Sequence, residues 1–153
     1  MGRCQLAPVR ARIALRPSAV TLLAPRVLLV MPGDRERALL RAELRELGYD
    51  AIGVRDFPEA FLSAAPQPER GPVRLILVDQ ETLSGSSQLM LQRLLSRDPA
   101  IIAVLLGRST ASAPSGAWRE VLRRPVSIAT IARALQTLLP LPAELAHPID
   151  RPA

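Results

Sequence analysis

With 153 residues, of which 48% are hydrophobic and 3% aromatic, the chain is long enough for one domain with an aliphatic core. Its one cysteine, Cys4, excludes an internal disulfide, and its one histidine, His147, cannot build a metal cluster alone; both are expected in tails without chemical duty. All 20 basic residues are arginine and five of them precede the first acid, Asp34, leaving 15 against 14 acids, so the net charge of +6 is mostly the leader's and argues little for nucleic-acid binding.

Residues 1–25 read as a basic leader without fixed structure. Its apolar part is short and broken by Pro17 and Pro25, with no small-residue cleavage site after it. The longest uncharged apolar segments, 18–25 and 99–107, fall short of the ~18 residues a membrane helix needs. A cytoplasmic protein is therefore expected. Residues 26–30, Arg-Val-Leu-Leu-Val, predict a strand buried on both faces. Met31-Pro32-Gly33 turns the chain, and Asp34 is expected to N-cap a helix over 35–47 that Gly48 ends. Helical spacing sends Leu39, Leu40, Leu44 and Leu47 inward and Arg37, Arg41, Glu43, Arg45 and Glu46 outward.

A shorter strand follows at 51–54. Asp56 can cap a brief second helix, with Pro58 in its first turn and Ala60, Phe61 and Ala64 facing in. After a Pro- and Gly-containing loop at 65–72 comes the most continuous aliphatic run, 73–79, which ends on Asp79. That carboxylate lies where open α/β sheets place their ligands, beyond the carboxyl ends of the strands. A polar loop at 80–87 leads to a third helix over 88–96, with Leu89, Met90, Leu94 and Leu95 available to the core. Residues 99–106 predict a fourth buried strand, 107–116 a loop of small residues with little helical pattern, and 121–122 a short last strand. Pro125 breaks it, and Ser127 caps a final helix to about 139 in which Ile128, Ile131 and Leu135 pack inward. Residues 141–153 are punctuated by proline and read as a frayed tail.

Strands alternating with helices at these intervals imply a right-handed, mostly parallel α/β sandwich with helices on both faces, over residues 26–140. Neither GxGxxG nor GxxxxGK[ST] occurs, so dinucleotide and P-loop phosphate sites have no cradle. Gly85, in Ser84-Gly85-Ser86-Ser87, reads as a plain turn rather than an anion nest.

Over roughly 26–139 this order resembles the receiver domain of bacterial response regulators. The resemblance rests on the first strand, the helix ending in Leu47-Gly48-Tyr49, Asp56 with Glu59-Ala60, the strand ending in Asp79, and the pair Arg124-Pro125. It implies a flavodoxin-like, CheY-like three-layer fold and a two-state signalling switch. In that family a histidine kinase supplies a phosphoryl group to the strand-end aspartate, and Mg²⁺ is held partly by an acidic pair after the first strand. A Ser or Thr after the fourth strand and a Lys then bind the phosphoryl oxygens.

Several of these positions differ here. Met31 and Pro32 stand where the acidic pair would be, Gly107 stands at the Ser/Thr position, and Arg124 stands for the lysine. Ser109 or Thr110 could serve only if the loop folds back. Arg124, planar and always charged, is expected to hold Asp79 in a salt bridge. The fourth helix of the fold is expected to be shortened or lost. The resemblance therefore implies a degenerate, pseudo-receiver module in signal transduction. It would bind a protein partner, a histidine kinase or a second copy among the candidates, with no enzymatic activity, metal or cofactor and no nucleic-acid or membrane partner. The alternative is a working phosphoacceptor in a phosphorelay, with Mg²⁺ held at Asp79 by Asp34 or Glu81.

Overall fold

The computed structural model describes residues 22–110 and 112–146; the expectations for Cys4, His147, the leader up to residue 21 and the last seven residues lie outside them. Five strands, β1 (Arg26–Val30), β2 (Asp50–Val54), β3 (Val73–Asp79), β4 (Ile102–Gly107) and β5 (Glu120–Arg123), form one sheet in the order β2-β1-β3-β4-β5. All neighbours pair in parallel. This is the doubly wound order whose direction reverses between β1 and β3, the position where such sheets bind ligands.

Alternation between two covered faces explains the hydrophobic runs of the middle strands, 27–30 in β1, 75–78 in β3 and 102–106 in β4. Val27 and Leu29 of β1 and Leu75 and Leu77 of β3 face α1 (Asp34–Leu47) and α4 (Ile128–Leu138), where they meet Leu40, Leu44, Ile131 and Leu135. Leu28, Val30, Ile76 and Val78 face the other way, onto α2 (Phe57–Ser63) and α3 (Gly85–Arg97). The sheet thus has two cores, and the expected three-layer sandwich is present. Between β4 and β5 no helix forms among the described residues, as the small-residue pattern of 107–116 implies.

Local capping differs from the expectations at two helices. Gly33, not Asp34, is the N-cap of α1 and supplies no side-chain bond; Asp34 is already helical, and its carboxylate accepts from Arg37 Nη2 at 2.5 Å instead. An i,i+3 guanidinium competes successfully with the backbone for that exposed carboxylate. Helix α3 begins three residues earlier than expected, because Ser84 Oγ accepts from the Ser87 N–H and draws Gly85-Ser86-Ser87 into the first turn. Asp56 and Ser127 cap α2 and α4 as expected, accepting from the N–H groups of Glu59 and Thr130.

Helical phase also corrects three residues. Leu39 is 50% exposed and Leu89 56% exposed, with Leu91 taking the core position in α3. Arg37 does not go outward: only 15% of its side chain is accessible, and it folds back so that Nη1 donates to Met31 O at 2.6 Å. A Cβ on Gly53 would meet Arg37 Cγ at 2.7 Å, so the glycine in β2 makes room for that side chain. Residues 141–146 fold back onto the domain: Leu141 packs on the core, and the N–H groups of Leu145 and Ala146 both donate to Pro142 O. Helix α1 ends at Gly48 with φ of 111°, where a Cβ would also lie 2.8 Å from Leu145 O. No helix among the described residues is long and apolar enough to cross a membrane.

Candidate functional site at the end of β3

Asp79 is 2% exposed at the last position of β3, and both its carboxylate oxygens are engaged. Oδ1 accepts from the Glu81 N–H at 2.9 Å, so the side chain caps the single 3₁₀ turn Gln80–Thr82. Thr82 Oγ1 closes the same turn by donating to Asp79 O at 2.7 Å. Oδ2 accepts from Arg124 Nη2 at 2.7 Å. A short sequence signal, a carboxylate two residues before a free N–H, explains the cap; the arginine arrives from 45 residues away.

Arg124 follows β5 directly. Its own N–H donates to Gly107 O at 3.0 Å, which carries the β4–β5 pairing one residue further and brings the side chain over the strand ends. The Arg124–Pro125 peptide bond is cis. The guanidinium grips a second carboxylate in the fork geometry arginine favours: Nη1 donates to Glu36 Oε1 at 2.9 Å and Nη2 to Glu36 Oε2 at 2.8 Å. One nitrogen, Nη2, therefore lies between Glu36 and Asp79. The Glu36 bond, followed by the Asp79 bond and the charges of both, raises the arginine above its ordinary value against the opposing effect of burial.

Glu36 is the member that reading the sequence missed. It belongs to the first turn of α1, where an acid also complements the helix N-terminus. The signal available was positional: α1 starts four residues after β1 ends, so its first turn must lie at the same sheet edge as Asp79. Gln80 was also passed over as part of a polar loop. Its Oε1 accepts from the Arg108 N–H at 2.9 Å and its Nε2 donates to Ser112 O at 3.1 Å, which staples the β4–β5 connection to the end of β3.

The remaining candidates fall around this centre. Gly107 ends β4 beside Gln80, whose Oε1 would be 3.4 Å from a Cβ there. Ser109 and Thr110 are exposed in the bend that follows. Met31 is fully buried in the core shared with α1 and α4, and the carbonyls of Met31 and exposed Pro32 both accept from Arg37. Among the described residues no three His, Cys, Asp or Glu side chains gather into a metal-holding group. Asp34 is turned to Arg37, and its side chain is 80% accessible.

These donors do not fit Mg²⁺. That ion asks for a near-octahedral shell of hard oxygens; here Met31 and Pro32 bring no carboxylate, and the Asp79 oxygen that would face it is bonded by a cation already in place.

No protein-family model matches the chain, and no curated protein matches it. Solved structures do. A receiver domain from Methanospirillum hungatei superposes with a TM-score of 0.63 at 15% identity, over 76% of this chain and 94% of that one. The receiver domain of a LuxO repressor protein from Vibrio parahaemolyticus gives 0.60 at 17%, over 75% and 89%. The chemotaxis protein CheY4 of Vibrio cholerae gives 0.60 at 17%, over 76% and 99%. The chain has the receiver fold. Within that fold Asp79 ends the third strand, and it belongs to a partly buried ion triad with Arg124 and Glu36.

Proposed function

We propose that this chain is a receiver-type signalling module that binds a protein partner without a metal-dependent phosphoryl cycle, in the manner of a pseudo-receiver. The observation that carries the reading is the engagement of Asp79: one oxygen is held by Glu81 N–H and the other by Arg124. A carboxylate so held is a poor nucleophile, since attack on phosphorus would first break a charge-assisted bond to a side chain that is only 4% accessible. The proposed role is binding, in the cytoplasm, with a histidine kinase or a second copy as candidate partners.

The bridge also determines where a partner would read the domain. It ties the first turn of α1 to the β5–α4 connection, and beside it lies an open cleft of about 530 Å³ lined by Asp34, Glu36, Leu39, Val126 and Ile128. Exposed Leu39 at its edge supplies the apolar contact that a charged rim alone would lack.

The test is a titration with Mg²⁺ and beryllofluoride, a mimic of an aspartyl phosphate, followed by amide NMR. The expected result is a folded protein whose amides around Asp79 stay in place. Shifts there that vanish in Asp79→Asn would establish the other reading, a phosphoacceptor served by a histidine kinase.

A further inference from the structure

The misfit between this site and a divalent ion has a specific cause. Two carboxylates converge on one point, and that point is taken by a side chain: Glu36 Oε2 and Asp79 Oδ2 lie 2.8 and 2.7 Å from the same Arg124 nitrogen. We propose that Arg124 is the resident cation of a two-carboxylate site formed by Glu36 and Asp79, and that its guanidinium keeps divalent ions out. The inference rests on the reading of Asp79 as a paired carboxylate and adds what the pair excludes.

Charge and burial support this assignment. Two carboxylates face a single guanidinium, whose Nη1 and Nη2 both donate to Glu36 while Nη2 also donates to Asp79. The side chain of Asp79 is only 4% accessible, so an unpaired charge there is costly and must recruit either a proton or another cation. Glu36 and Arg124 are 27% and 33% accessible, so water reaches the bridge from the α1 side and an ion has a route in. The nearest replacement within the chain, Arg37, is committed to the Met31 and Pro32 carbonyls and to Asp34. A tethered guanidinium also has an advantage over a dissolved ion: it is present at a high effective concentration whatever the metal supply. The site therefore holds one state, in contrast to one whose occupancy follows the metal concentration.

The experiment is a Mn²⁺ titration read by paramagnetic broadening of backbone amides, on the intact chain, with wild type, Arg124→Ala and Arg124→Ala/Glu36→Gln compared. Wild type should show no localised broadening. Arg124→Ala should show saturable broadening centred on 34–37 and 78–81, with an affinity at least tenfold above that of wild type, and the added Glu36→Gln should remove most of it. Equal broadening in wild type and Arg124→Ala would overturn the proposal, as would none in either, and an affinity unchanged by Glu36→Gln would remove Glu36 from the site. Should Arg124→Ala fail to fold, Arg124→Met retains the aliphatic stem and is read by the same criteria. Failure here leaves the beryllofluoride result untouched, because that titration is read on wild type alone.

Discussion

Arg124 shows how far a residue's role departs from what its type announces. As one of 20 arginines it reads as bulk charge, yet it is bonded to two carboxylates on two other elements. The expected bridge to Asp79 is present in the structure, because an arginine next to Pro125 at the end of the last strand points along the sheet edge. Glu36 was not anticipated, since it is one of four acids on α1, with Asp34, Glu43 and Glu46, and nothing in its immediate neighbours marks it. Gly48 is the opposite case, a residue whose role is visible in sequence because Leu-Gly-Tyr after a helical run needs a left-handed stop. Its substitution tests this at the residue scale. Gly48→Ala should cost on the order of 1–3 kcal/mol, more than a φ penalty alone, because the new methyl would also press on Leu145 O. Urea unfolding of the two proteins measures it, and an unchanged midpoint would mean that the tail does not close on this turn.

At the scale of elements, the ends of α1 and α4 are tied twice. Arg124, in the connection from β5 to α4, bonds Glu36 in the first turn of α1, and Tyr49 joins the C-terminal ends: its hydroxyl donates to Leu139 O at 2.5 Å, and the residue is 3% exposed. Burial pushes this phenol up to about 12. An acid whose folded value is raised keeps its proton in the native state after the unfolded chain has lost it. Tyr49 therefore contributes fully below pH 10, and stability is lost progressively as pH rises from about 10 to 12, by about 3 kcal/mol at most. Thermal unfolding across that interval should show a steeper decline for wild type than for Tyr49→Phe, which lacks the ionisable group. Parallel declines would place the hydroxyl in water.

For the whole molecule, the parallel order puts the most deeply bonded strands in the middle. β3 is bonded on both sides, by β1 and β4, and from Leu75 to Asp79 it is buried without interruption; β5 pairs only with β4, and none of its residues is fully buried. Opening free energies should follow this gradient. Native-state hydrogen exchange is expected to be slowest at 75–78, intermediate in β5 and fastest in the connection 112–118, where no helix covers the sheet edge. Slow exchange throughout 112–118 would mean that this loop is held by more than the Gln80 staple, the Trp118 bond to Pro114 O and the Arg119 N–H bond to Ala103 O.

The division between what was legible in the sequence and what was not follows from range. Strand and helix identity, the stops at Gly48 and Pro125, the caps at Asp56 and Ser127, the missing helix after β4 and the position of Asp79 depend on patterns within a few residues, and each was readable from composition and spacing alone. The start of α3 and the inward turn of Arg37 depend on which of several local partners wins, a competition of about 1 kcal/mol that spacing does not decide. The site itself lies beyond both. Glu36, Asp79 and Arg124 are separated by 88 and 45 residues from their common centre on Arg124, and only the winding of the sheet brings the three to one edge. The sequence determined that a carboxylate would stand at the end of β3; the tertiary structure decided that it would meet a cation already built into the chain.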